Sequence, residues 1–156
     1  MSKSLARVKA ALALAGVPVE VLEMGTETRT AEQAAAAAGC ALDQIAKSII
    51  FRGAASGHVV LFLTAGGNRV DGAKASAVAG QPLGRADADL VRAETGFAIG
   101  GVAPVGHLTP LRAFFDPRLL DFSTVWAAAG TPRHIFAISP AVLLQASGAE
   151  LADFTA

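Results

Sequence analysis

Apolar positions recur at helical spacing over residues 4–15, where Leu5, Val8, Leu12 and Ala15 share one face and Gly16 follows as a stop. The next run, VPVEVLEM, changes period: Val17, Val19 and Val21 alternate with Pro18 and Glu20, which predicts a strand. In TAEQAAAAAG, Thr30 and Gln33 stand at capping-box spacing and Gly39 closes a short helix. KSIIFRG and HVVLFLTAG are two apolar runs rich in β-formers, joined by GAASG, and read as a hairpin. DGAKASAVAG and DADLVRAETG predict two further helices, the second capped by an aspartate and closed by Gly96. FAIGG, LRAFFD and HIFAIS read as strands, and SPAVLLQASG as a last helix with Ser139 as cap and Pro140 in its first turn. STVWAAAG begins β-branched and ends helix-forming, so its pattern supports either element.

Hairpins interleaved with single helices point to an α+β domain with a mixed sheet rather than to a regular βαβ series. The 156 residues fit one domain spanning 1–156, with no repeat, linker or low-complexity tail. The chain is 53% hydrophobic and 17% charged, apolar but far from a disordered composition. No apolar run reaches the roughly 18 residues of a membrane span, and MSKSLARVKA lacks the plan of a signal peptide. A single cysteine, Cys40, fits a reducing compartment, so a cytoplasmic location is expected. Basic and acidic residues balance at 13 each, which argues against extended duplex binding and leaves room for a grip on one end of a nucleic acid.

Several motifs drop out on inspection. GGNRVDGAKAS resembles a phosphate loop, but Ala73 separates Gly72 from Lys74, whereas that loop needs the pair adjacent. His58, His107 and His134 have no metal-ligand spacing, so no metal and no cofactor is expected. No nucleophile elbow of the GxSxG type occurs. Two features remain. Lys47 opens the strand KSIIF, either as a surface lysine with its stem on the core or as a cation projecting into a pocket at the end of the sheet. AIGGVAPVGH, residues 98–107, is either a wide turn or a stretch of bare backbone whose N–H groups can meet a developing oxyanion.

Taken together, KSIIF and AIGGVAPVGH resemble the YbaK family of aminoacyl-tRNA editing domains, which is related to the insertion domain of bacterial prolyl-tRNA synthetases. The resemblance also takes in RTAEQAAAAAG, VDGAKASAVAG and AISPAVLLQ, and is most specific at Lys47 with Gly100 to Pro104. It implies a mixed, barrel-like sheet flanked by helices, and a trans-acting deacylase that hydrolyses the ester of a mischarged tRNA, with the tRNA's own hydroxyl assisting. Lys47, Gly100 and Gly101 are then the expected catalytic groups. Thr30, Phe51, Val102, Ala103, Pro104, Gly106, His107, Ala129 and Gly130 are the expected substrate-binding set. The partners implied are a tRNA acceptor end and an aminoacyl-tRNA synthetase.

Members that remove cysteine carry a small polar and an acidic group in the late strand region, where this chain has AAAGTPRHIF with Ala129 and Phe136. The apolar AAAG suggests instead alanine or 2-aminobutyrate on tRNA(Pro), with serine and threonine also admissible because an apolar pocket rejects one hydroxyl only weakly. His134 is assigned no role. The competing reading is a non-catalytic tRNA- or synthetase-binding module of the same fold.

Overall fold

The computed structural model describes residues 2–156. Helix α1 (Lys3–Leu14) starts where the Ser2 hydroxyl accepts the Leu5 N–H at 3.0 Å, and it buries Leu5, Val8 and Leu12. A short strand β1 (Val21–Glu23) follows, then α2 (Ala31–Ala38). β2 (Ala46–Gly53) and β3 (Val59–Ala65) form the expected antiparallel hairpin, with Lys47 opposite Thr64. Helix α3 (Gly72–Ala79), strand β4 (Leu83–Arg85) and helix α4 (Ala88–Thr95) lead into the glycine-rich segment. The chain ends with β5 (Arg112–Phe115), β6 (Val125–Ala128), β7 (His134–Ile138), α5 (Pro140–Ser147) and β8 (Glu150–Leu151).

The strands form two sheets, ordered β4-β2-β3-β5-β8 and β1-β7-β6. The larger is mixed, because β5 and β8 run parallel to β3 while β2 and β4 run antiparallel to their neighbours. β3 is its centre, and every residue from Val59 to Ala65 is buried. That explains a sequence run with no polar alternation: both faces of the strand are covered. Leu61, Leu63 and Phe115 face the main core with α1, Phe97 and Phe136. Phe62 and Val60 face a second core with Ala75 and Ala79 of α3 and with Phe154.

The α+β, mixed-sheet expectation holds, but the sheet does not close into a barrel. Among the described residues one bridge joins the two sheets, between Ile45 and Trp126 beside the start of β2. Three local expectations also change. VPVEVLEM is strand only over Val21–Glu23. Val17 spends its N–H on the Leu12 carbonyl at the end of α1, at 2.9 Å, and Pro18 has none to offer. FAIGG is not a strand: Phe97 plugs the core and the chain turns at once, with the Gly101 N–H bonded to the Ala98 carbonyl at 3.0 Å. STVWAAAG resolves as strand β6, which pairs with β7.

Candidate active site

The capping box seen in the sequence fixes one wall of a cavity. Thr30 Oγ1 accepts the Gln33 N–H at 3.1 Å, and Gln33 Oε1 accepts the N–H groups of Thr30 and Arg29 at 3.2 and 3.1 Å. This ties down the entry to α2, so Arg29 leaves it in a defined direction. Its guanidinium pairs with Glu27 at 2.9 Å and donates to the Ile99 carbonyl at 3.1 Å, reaching the glycine segment. Gly100 sits beneath the arginine with φ of +87°, and a Cβ there would meet Arg29 Cγ at 3.0 Å. Only glycine meets both conditions without strain.

The opposite wall comes from the start of β2. Lys47 is half-buried, and its Nζ donates to the Gly66 carbonyl at 3.1 Å. Among the described residues no carboxylate pairs with it. Between the walls lies a cavity of about 380 Å³. Ala34, Ile45, Ala127, Ala128 and Ile135 make it apolar, while Lys47, Ser48, Thr28, Thr30 and Gly100 give it a polar side. Among the described residues no histidine, cysteine or carboxylate lines it. Of its threonines, Thr28 donates its hydroxyl to the Pro132 carbonyl at 2.9 Å, and Thr30 serves as the helix cap. Among the described residues no His, Cys, Asp and Glu cluster could hold a metal ion.

The cavity brings together Lys47, Gly100, Thr30 and Val102 from the sequence-based set. The others lie behind it. The Gly101 N–H is consumed in the turn to Ala98, and its α-carbon packs on the Thr131–Pro132 backbone. The N–H groups of Gly100 and Val102, in contrast, have no acceptor among the described residues. Val102 is only 6% exposed, so bulk water does not replace that acceptor. The free donors are therefore on Gly100 and Val102 rather than on Gly100 and Gly101.

Ala103 and Pro104 are buried under the loop. His107 Nε2–H donates to the Ala103 carbonyl at 2.7 Å, and the Gly106 carbonyl accepts from Arg7 Nε at 3.3 Å. Both residues brace the loop from beneath. Ala129 is in the main core, and Gly130 packs on Ser4 and Phe97, so the small-residue lining comes from Ala127 and Ala128. Phe51 belongs to the second core, edge-on to Phe62 with ring centroids 5.7 Å apart. Arg29, Ser48, Ile99 and Trp126 line the cavity without having been singled out. Of these, Arg29 had a usable signal, since it directly precedes a helix cap.

Burial lowers the His107 pKa below its ordinary 6.5, opposed by the bond to Ala103 and helped by nearby Arg7. The folded chain thus resists taking a proton that the unfolded chain accepts. The sign follows: this contribution is fully present above about pH 6.5 and is lost as the pH falls below it. Denaturant melts at pH 7.5 and 5.5 are expected to show a smaller loss of stability for His107→Gln than for the parent protein. An equal loss in both would remove His107 from the acid sensitivity of the loop.

With the geometry in place, the relatives are informative. Residues 26–146 match the model of the aminoacyl-tRNA editing domain. The chain belongs to this family of aminoacyl-tRNA editing domains. The match spans both cavity walls and the glycine loop. A solved structure described as a candidate trans-editing enzyme for prolyl-tRNA synthetase is 46% identical to this editing domain, with a TM-score of 0.92, covering 100% of this chain and 99% of that one. The hypothetical protein APE2540 is 30% identical, with a TM-score of 0.88 over 96% of this chain and 99% of its own. YwhH of Bacillus subtilis (strain 168), which has no assigned function, is 34% identical over 128 residues, 82% of this chain and 81% of its own. No helix among the described residues of the editing domain is long and apolar enough to cross a membrane.

Proposed function

We propose that this protein is a trans-acting aminoacyl-tRNA deacylase of the cytoplasm that removes a small amino acid, alanine or 2-aminobutyrate, from tRNA(Pro), with serine and threonine as weaker substrates. The observation that carries the reading is one small, largely apolar cavity lined by Lys47, which meets a backbone carbonyl and no carboxylate, and by Gly100 and Val102, whose N–H groups have no acceptor among the described residues. At about 380 Å³ the cavity is near the lower end of the usual range for ligand sites, which suits an aminoacyl group on a terminal ribose. The alanines of α2 and β6 set the size of the side chain admitted.

Hydrolysis of the ester requires an attacking water, stabilisation of the carbonyl oxygen as it gains charge, and a place for the leaving sugar oxygen. The N–H groups of Gly100 and Val102 are suited to the oxyanion, because fixed dipoles in a site with little water stabilise charge without reorganising. The Lys47 ammonium, held at the Gly66 carbonyl, keeps donors for the terminal sugar or its phosphate. With no histidine, cysteine or carboxylate on the wall among the described residues, the substrate's neighbouring ribose hydroxyl relays the proton, taking one from the attacking water as it gives its own to the sugar oxygen that leaves when the ester bond breaks.

The test is to present the protein with tRNA(Pro) charged separately with alanine, 2-aminobutyrate, serine, threonine, cysteine and proline, and to follow release of each amino acid. Fast release of alanine or 2-aminobutyrate with prolyl-tRNA spared is the expected result. Binding of the same tRNAs with no release from any would identify a docking module instead. The size argument gives a sharper expectation. Ala34→Val narrows the cavity by two methyl groups, and should lower release of 2-aminobutyrate about tenfold more than release of alanine. Equal losses on the two would take Ala34 out of the side-chain pocket.

A further inference from the structure

The GGN segment that fails as a phosphate loop has a different use. β3 ends at Ala65, and Gly66, Gly67 and Asn68 turn the chain back, with the Asn68 N–H bonded to the Ala65 carbonyl at 2.9 Å. The carbonyl of Gly66, the buried first residue of this turn, is the one that holds Lys47.

Two carboxylates from distant parts of the chain fix the turn. Asp43 Oδ1 accepts the Gly67 N–H at 2.7 Å. Asp116 Oδ2 accepts the Ala65 N–H at 3.1 Å and Asn68 Nδ2 at 2.9 Å. Asp116 is only 2% exposed, and its other oxygen accepts the Arg118 N–H at 3.0 Å. Arg118 then links the pair, its Nε donating to Asp43 Oδ2 at 3.0 Å. A Cβ on Gly66 would collide with the Leu42 backbone carbonyl, and one on Gly67 would displace the Asp43 carboxylate.

Such reinforcement exceeds what an ordinary surface turn requires. It matters for Lys47 because a four-carbon side chain loses more rotamer entropy on being fixed than one hydrogen bond to a mobile carbonyl returns. A carbonyl presented rigidly avoids adding the turn's own ordering to that loss. We propose that Asp43, Asn68 and Asp116 are positioning residues for Lys47, acting through the Gly66 carbonyl to hold the ammonium at the cavity wall. The inference rests on the assignment of Lys47 to the reaction, and its test separates the two.

The chain has four lysines, Lys3, Lys9, Lys47 and Lys74, so the ε-methylene signals of lysine labelled with carbon-13 are few enough to assign by substitution. In the parent protein the two ε-protons of Lys47 should be split, as expected for an immobilised side chain. Asp43→Ala and Asn68→Ala should collapse that splitting, whereas Asp43→Asn, which keeps an oxygen for Gly67, should restore it. In single-turnover deacylation Asp43→Ala should lower the rate about tenfold at saturating protein, with no further loss when added to Lys47→Ala. Unchanged Lys47 signals in both folded alanine variants would overturn the proposal. So would an equal rate loss with and without Lys47, which would mark a general structural defect. Collapse of the signals with an unchanged rate would uphold the clamp and refute the role of Lys47 in the reaction.

Discussion

Lys47→Ala is expected to lower deacylation of the mischarged tRNA by roughly 10²–10³-fold while leaving the fold intact, the scale seen when one preorganised donor is removed from a reacting centre. The fold should survive because the side chain is half-buried and gives up a single hydrogen bond, to the Gly66 carbonyl, worth about 1 kcal/mol. Lys47→Arg should not rescue the rate. A planar guanidinium cannot both reach the same carbonyl and present a compact charge to the ribose. Single-turnover kinetics with preloaded tRNA, beside a thermal melt, decide the matter. A variant that melts normally and reacts at the parent rate would move the reaction out of this cavity.

The second large effect concerns stability alone. Phe62 is fully buried at the hub of the second core, stacked on Phe114 at 5.3 Å and edge-on to Phe154 at 4.9 Å. Phe62→Ala should cost about 3–5 kcal/mol, since the flanking rings cannot collapse into the space without leaving their own partners. Against a total of roughly 5–15 kcal/mol for a domain, that is a large share. Denaturant titration should show the midpoint falling steeply, and the folded fraction should still release amino acid at the parent rate. A loss below about 1 kcal/mol would mean that the sheet face repacks freely.

Much of this architecture was legible because it rests on local chemistry. The capping box at Thr30, the aspartate cap of α4 at Asp87 and the glycines closing α2 and α4 stand where the sequence put them. The β2–β3 hairpin followed from β-rich runs on either side of a short turn. Errors arose where a residue's role depends on something distant. The alternation from Val17 to Val21 was genuine, yet Val17 was already committed to α1 and Pro18 had no N–H for a neighbour. FAIGG has the composition of a strand, but Phe97 lies under Arg7, 4.9 Å from the ring, and among the described residues it is not part of a strand.

The cavity was legible to the same degree. Lys47 and Gly100 came from a shared motif, and Thr30 came from its cap. The small lining residues were placed two positions too late, at Ala129 and Gly130 rather than Ala127 and Ala128, because an alanine run carries no mark of its strand register. The free N–H of Val102 and the occupied one of Gly101 differ by a single turn bond that composition does not encode. Asp43 and Asp116 stand far apart along the chain, and only the fold brings both to one turn.

The unclosed seam between the two sheets has its own consequence. The cavity lies beside the Ile45–Trp126 bridge, lined by Lys47 and Ser48 from β2 and by Ala127 and Ala128 from β6. Zipping those strands together would add main-chain bonds and make a tougher molecule. It would also close off the cavity that the proposed deacylation uses. Selection for durability and selection for turnover therefore pull this gap in opposite directions. Laboratory evolution for heat resistance alone should find its easiest gains at that seam, in proteins that outlast their ancestor and no longer proofread.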